Sequence, residues 1–258
     1  MRKITTATAT ALVLMLAPAA QAQTTITGGL TPNTAGAGST VHVEIGGAAA
    51  ELAGQLPESI ALGVQRGFGF DARAVAVRCS GAALTTGDCP AQSRIGSGQA
   101  VVHVSGFLNL DVPATIDVFL ADRVQPADVA SAVVVIKGAG ASGVVRTRLL
   151  ALAGGPIGYE LRLEGIAAAA PKVPGVTLAL RSLSLDIGAR RKTTKTTTKR
   201  VRVTRNGRRV TVRRKVKKRV TYALLRNPKT CTGAWGVRLT LRVAGTDRLR
   251  DIAIPCTA

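Results

Sequence analysis

Acid–base or nucleophilic chemistry in this chain would have to be built from few residues. There are two histidines, His42 and His103. His42 alternates with Val41 and Val43, which turns it outward on a strand, so an exposed strand histidine is the plain reading. His103 sits in Val101-Val-His-Val104 with no fixed side, and local pattern supplies neither histidine with a partner for general acid–base work. The acids Asp111, Asp117, Asp122 and Asp128 are spread over a strand and its flanks. A glycoside hydrolase would need two of them roughly 5–9 Å apart across the fold, with only one Trp and two Tyr available to stack on sugars. The chain has no G-x-S-x-G elbow, no H-E-x-x-H and no phosphate-binding G-x-x-x-x-G-K-[ST]. The expectation is a protein that is not an enzyme, with no catalytic residues and no cofactor.

Four cysteines are the next reactive groups, and four allow three pairings. Cys79–Cys89 and Cys231–Cys256 are favoured because each joins neighbours within one half of the chain. A zinc site is the rival, but there is no C-x-x-C and only the two histidines, so no metal is expected. The start of the chain supports disulfides. Arg2 and Lys3 precede the apolar run Ala11–Ala17, then Pro18 and Ala20-Gln21-Ala22. That order predicts a secretory signal peptide over residues 1–22, cleaved after Ala22. No later run reaches the ~18 apolar residues of a membrane helix. Secretion, to the medium or the cell envelope, is the localisation expected, and export favours disulfides.

The third chemical feature is charge. The 35 Lys and Arg against 14 Asp and Glu give a formal +21. Sixteen of those cations lie between Arg190 and Arg219, with no acid among them. Dense Lys and Arg attract polyanions by releasing counterions. The candidate polyanion-binding residues are Lys199, Arg200, Arg202, Arg205, Arg208, Arg209, Arg213, Arg214, Lys215, Lys217, Lys218 and Arg219. No aromatic residue interrupts the run, which disfavours stacking on nucleic-acid bases. A solvated hairpin, charged only to resist edge-to-edge aggregation, is the competing reading.

Composition alone would make this run a disordered tail, but its pattern predicts a hairpin. Asn206-Gly207 suits a type I′ turn. With those two residues in the loop, Arg205 pairs with Arg208, Val203 with Val210 and Val201 with Val212, placing four valines on one face. Arg202–Thr211, Thr204–Arg209 and Arg200–Arg213 share the other. The even phase continues through Val216, Val220, Tyr222 and Leu224, which predicts one long strand returning into the body of the protein.

Period-two alternation recurs elsewhere: Val41, Val43 and Ile45; Tyr159, Leu161 and Leu163; Val237, Leu239, Leu241 and Val243. Further strands are expected near 60–65, 73–78, 99–104, 115–121, 132–137, 144–151 and 176–187, with one helical turn near 166–170. Trp235 is in phase with Val237 and reads as core. Phe68 and Phe70 read as a bulged strand with rings turned in. Apolar residues make up 46% of the chain, enough to exclude low-hydrophobicity disorder, and the 28 glycines lack a collagen period. Short strands between Gly/Pro turns predict an all-β protein, an antiparallel β-sandwich with a long protruding basic β-hairpin. Residues 23–258 are read as the sandwich, whole or as two packed sub-domains, with 190–219 as the hairpin insertion.

Two segments resemble patterns in a large set of secreted actinobacterial β-rich proteins of unknown function. The first is Leu56-Pro57-Glu58-Ser59-Ile60 with Arg66-Gly67-Phe68, Phe70-Asp71-Ala72-Arg73-Ala74, Cys79 and Cys89-Pro90-Ala91-Gln92-Ser93-Arg94-Ile95-Gly96. The second is Leu225-Arg226-Asn227-Pro228-Lys229-Thr230-Cys231 with Gly233, Trp235 and a closing Pro255-Cys256. The resemblance implies secretion and a β-rich, disulfide-bearing module, and no reaction. The length and basicity of the 190–219 hairpin depart from it. The expected partner is an anionic polymer or an anionic membrane surface, with sequence-specific nucleic acid disfavoured. The alternatives are a structural protein–protein module and, behind it, a hydrolase.

Overall fold

The computed structural model describes residues 25–47, 52, 54–106, 109–138, 141–170, 172–205 and 207–258. The expected signal peptide and Asn206 of the expected turn lie outside the described residues. The strands are β1 Thr25–Thr31, β2 Gly38–Gly46, β3 Ser59–Gln65, β4 Gly69–Phe70, β5 Arg94–Ser105, β6 Leu110–Ala121, β7 Ala130–Gly138 and β8 Ala141–Ala151. They continue as β9 Ile157–Glu164, β10 Thr177–Ile187, β11 Arg190–Arg205, β12 Arg208–Ala223, β13 Leu225–Arg226, β14 Ala234–Val243 and β15 Thr246–Pro255. Two one-turn helices interrupt them, α1 Ala83–Thr86 and α2 Ile166–Ala169.

The all-β antiparallel class is as expected, and both facing layers belong to one continuous sheet. Thirteen strands join in the order β15-β14-β3-β9-β8-β7-β6-β5-β10-β2-β13-β4, with β1 on β2. The sheet curls until its ends meet: β1 contacts β15, and a Cβ at Gly28 would lie 3.5 Å from the Ile252 side chain. Curvature at the β5–β10 junction is fixed by glycine. A Cβ at Gly98 would stand 2.2 Å from the Ser184 carbonyl oxygen, and one at Gly96 2.4 Å from that of Asp186. Only glycine lets the backbones approach this closely.

Alternation decides which side chains the curl encloses. On β14, Trp235, Val237, Leu239, Leu241 and Val243 are buried while Arg238 and Arg242 pair with acids outside. On β7 the first six residues are all buried. Ala130, Ala132 and Val134 join the inner core. Val133 and Val135 lie instead with Cys79, Phe119 and Ala121 in a second cluster, packed against Ala83, Leu84 and Cys89. The 79–89 segment thus covers the outer face of β6–β8, held by the Cys79–Cys89 disulfide. Cys231–Cys256 ties the approach to β14 to the end of β15. Both disulfides match the favoured pairing, and they suit an oxidising compartment. Among the described residues no helix is long and apolar enough to cross a membrane.

One local expectation needs correction, and one strand lies beyond the sequence reading. Residues 73–78 form no strand: Asp71 accepts a hydrogen bond from the Arg73 N–H and caps a 3-10 turn over Ala72–Ala74, because the chain must leave the sheet here to reach Cys79. β15 was not anticipated, since its turn, Ala244-Gly245, lacks the usual turn chemistry although both residues have positive φ (48° and 73°). The indole of Trp235 is buried edge-on against Phe68, with ring centroids 5.8 Å apart, and its N–H donates to the Thr230 carbonyl.

Candidate functional site

Two features stand out, one projecting from the curled sheet and one inside it. One is the hairpin. β11 and β12 pair over sixteen positions, from Arg190↔Ala223 to Arg205↔Arg208, in the register that Asn206-Gly207 implies. Gly207 has φ 71°, as a type I′ turn requires. The ribbon is its own two-stranded sheet, about 50 Å long at ~3.4 Å per residue.

Its attachment is local. The Leu224 N–H donates to the Ala189 carbonyl, Arg190 donates to the Gly38 carbonyl, and Leu224 is buried in the core. Arg73 lies over the Tyr222 ring at 4.6 Å, while its guanidinium holds the Asp71 carboxyl below the usual carboxylate range.

The register divides the cations between two faces. Arg190, Lys192, Arg200, Arg202, Arg209, Arg213, Lys215, Lys217 and Arg219 share one face with Thr194, Thr196, Thr198, Thr204, Thr211 and Thr221. The other carries Arg191, Lys195, Lys199, Arg205, Arg208, Arg214 and Lys218 with the valines. Most cations on the first face stand opposite threonine, which limits like-charge repulsion, and Arg200↔Arg213 is its one cation pair. The second has Lys195↔Lys218, Lys199↔Arg214 and Arg205↔Arg208. Leaving Arg205 aside, none of these cations has an acidic partner among the described residues. Among the described residues no third strand pairs with the ribbon, and Val203 on the valine face is 36% exposed.

The other candidate residues do not converge. Each histidine has a carboxylate directly across the ladder that local sequence could not supply: His42 Nδ1 lies 2.9 Å from Asp186, and His103 Nδ1 lies 2.7 Å from Asp111. Asp117 pairs with Arg94 at 2.7 Å, and Asp122 lies 3.9 Å from Arg78. Asp128 is buried and accepts from Arg148 at 2.8 and 3.0 Å and from the Gln125 N–H at 2.9 Å. The Arg148 hydrogen bonds hold its carboxyl below the usual range despite the opposing effect of burial. Asp111 also lies 3.6 Å from Arg181, and no two of these four acids share a partner. Among the described residues no group of three His, Cys, Asp or Glu could hold a metal ion.

The second feature is an apolar lumen that composition gave no sign of. Side chains from β2, β3, β5–β10 and β14 line a cavity of about 430 Å³. Val43, Ile116, Val134, Val145, Leu161 and Leu183 represent its walls. A smaller cavity of about 70 Å³ follows it towards the hairpin root, sharing Leu62, Leu161 and Ile187 and ending at Phe70, Leu224 and Leu225. The wall on β10 runs from Leu178 to Ile187, about 30 Å along the strand, so the space is long and narrow. Well-packed interiors have few voids larger than a water molecule.

At the end away from the hairpin, Leu56, α2 and the 172–176 segment cover the lumen. A more polar space of about 470 Å³ adjoins it there, sharing the walls Leu56, Ala170, Val173, Val176 and Leu178 and adding Gln55, Lys172 and Thr177. Comparison of the chain with protein-family models, with curated proteins and with solved structures finds no match.

Proposed function

We propose that this is an exported, non-enzymatic protein that the basic hairpin docks on a polyanionic surface, either an anionic polymer such as a wall phosphate or an anionic membrane face. One observation carries the reading: sixteen cations stand on a two-stranded ribbon about 50 Å long, and none of those whose side chains are described is paired with an acid. Such an arrangement retains its full charge for an external partner. Export rests on the basic, apolar and small-residue order of residues 1–22, together with two disulfides. The separate engagement of Asp111, Asp117, Asp122 and Asp128 supports a non-catalytic role.

The register defines a clean deletion. Replacing residues 192–221 by Asn-Gly joins Arg191 to Tyr222 through a two-residue turn and leaves the root contacts in place. Binding of the intact chain and of this variant to polyphosphate and to anionic vesicles is then compared at 50 and 150 mM salt. The intact protein is expected to bind, more weakly at the higher salt, and the variant to be folded but non-binding. Binding retained by the variant refutes the reading. Binding by neither protein at 50 mM salt makes the ribbon a solvated element and favours a protein–protein module.

A further inference from the structure

We infer that the lumen is a binding site for a single-chain anionic amphiphile of the long-chain fatty-acid class, with its tail between the sheet walls and its carboxylate at Lys172. The inference is independent of the hairpin's role.

Three observations lead to it. The 430 Å³ cavity is within the size range of ligand sites and nearly three times that of engineered apolar cavities that take up benzene. Its walls are aliphatic: Val, Ile, Leu and Ala from nine strands, with Ser142 among the few polar residues. No aromatic ring lines it, and it follows β10 over nine residue steps before meeting the smaller cavity. A long aliphatic channel suits a flexible hydrocarbon chain better than a compact ring system.

The third observation is the change of character at one end only. The adjoining space brings the Gln55 amide, the Thr177 hydroxyl and the exposed Lys172 together beside the lumen, and among the described residues Lys172 has no acidic partner. Towards the hairpin root the channel instead closes on Phe70, Leu224 and Leu225. An amphiphile therefore has one orientation: tail towards the root, charged head beside Lys172. A small number of polar groups at one end of an apolar pocket is the usual means of fixing a ligand's direction.

The test uses the mature chain, stripped of bound lipid by organic extraction and refolded with its disulfides intact. Saturated fatty acids of ten to eighteen carbons are titrated by native mass spectrometry and by displacement of a fluorescent fatty acid. One equivalent should bind, with affinity rising up to about fourfold per methylene and levelling off when the channel is full. Hexadecanol should bind more weakly than palmitate.

Lys172→Glu should remove that preference while leaving hexadecanol binding unchanged. Ala114→Phe, which places a ring in the lumen from a buried wall position, should abolish binding of both. Absence of saturable binding, affinity independent of chain length, or unchanged binding in a folded Ala114→Phe protein would overturn the inference. If Ala114→Phe does not fold, the chain-length series and Lys172→Glu decide, and a palmitate preference that survives Lys172→Glu refutes the placement of the head group.

Discussion

Which face of the ribbon meets a polyanion can be decided by charge counting. Besides Arg190, which the Gly38 carbonyl holds at the root, the threonine-rich face carries eight cations: Lys192, Arg200, Arg202, Arg209, Arg213, Lys215, Lys217 and Arg219. If each neutralises one phosphate of duplex DNA, used here as a polyanion of known charge spacing, log K should fall against log salt with a slope of about −7. Raising salt fourfold, from 50 to 200 mM, then weakens binding about 10⁴-fold. Replacing Arg200, Arg202, Arg209 and Arg213 by Gln leaves four contacts on that face, a slope near −3.6 and a loss of about 10²-fold over the same range. The matched change on the valine face, at Lys195, Lys199, Arg214 and Lys218, should leave the slope near −7. Both variants remove like-charge cross-strand pairs, so neither should weaken the hairpin itself. Fluorescence anisotropy with a labelled duplex at five salt concentrations measures the slopes, and circular dichroism checks the fold. Equal loss of slope in the two variants, or a slope shallower than −3 in the intact protein, refutes the assignment to the threonine-rich face.

Other predictions concern the body of the protein. Asp128→Asn should cost about 2 kcal/mol at pH 7, because it removes the charge from a buried carboxylate that accepts two bonds from Arg148. The native pKa of Asp128 is lowered. Its stabilisation is therefore present above the unfolded value near 3.9 and lost as pH falls through the native one, so the gap between wild type and variant in urea melts should close in acid. Ala244 has φ 48°, a region that costs an L-residue about 1 kcal/mol and that Asn tolerates better. Ala244→Asn should accordingly raise the melting temperature. Gly98→Ala should destabilise by about 3 kcal/mol or more in the same melts, since its Cβ would sit 2.2 Å from a backbone oxygen that cannot move aside. Replacing Cys231 and Cys256 by Ala should cost about 3.5 kcal/mol in the chain-entropy account for a separation of 25 residues, read from denaturant midpoints.

The ribbon was legible in the sequence because every determinant of it is local. A two-residue turn and a run of alternating residues set all sixteen cross-strand pairs without help from the rest of the chain. The disulfides were legible for a similar reason, each joining cysteines 10 or 25 residues apart. The partners of the histidines were not. His42 meets Asp186 and His103 meets Asp111 only through the β2–β10 and β5–β6 registers. Residues 73–78 were misread because Val75 and Val77 alternate with Ala and Arg as strand residues do, while the capping carboxylate of Asp71 and the crossing to Cys79 set a different path.

By itself, then, the sequence determined the all-β class, the inward-facing residues of most strands and a charged hairpin, and it favoured the disulfide pairs that the structure forms. The lumen was decided by tertiary structure alone. Alternation states that Val43, Val134 and Leu183 turn away from water, but the same pattern serves a filled core and a hollow one. What separates facing walls is where the sheet curls, at the β5–β10 approach of Gly96 and Gly98, and where its ends meet, at β1 and β15. Those contacts join residues more than 80 and more than 200 positions apart, between Gly98 and Ser184 and between Gly28 and Ile252. No local propensity encodes such distances, because the width of an interior belongs to the closed sheet and not to any strand in it.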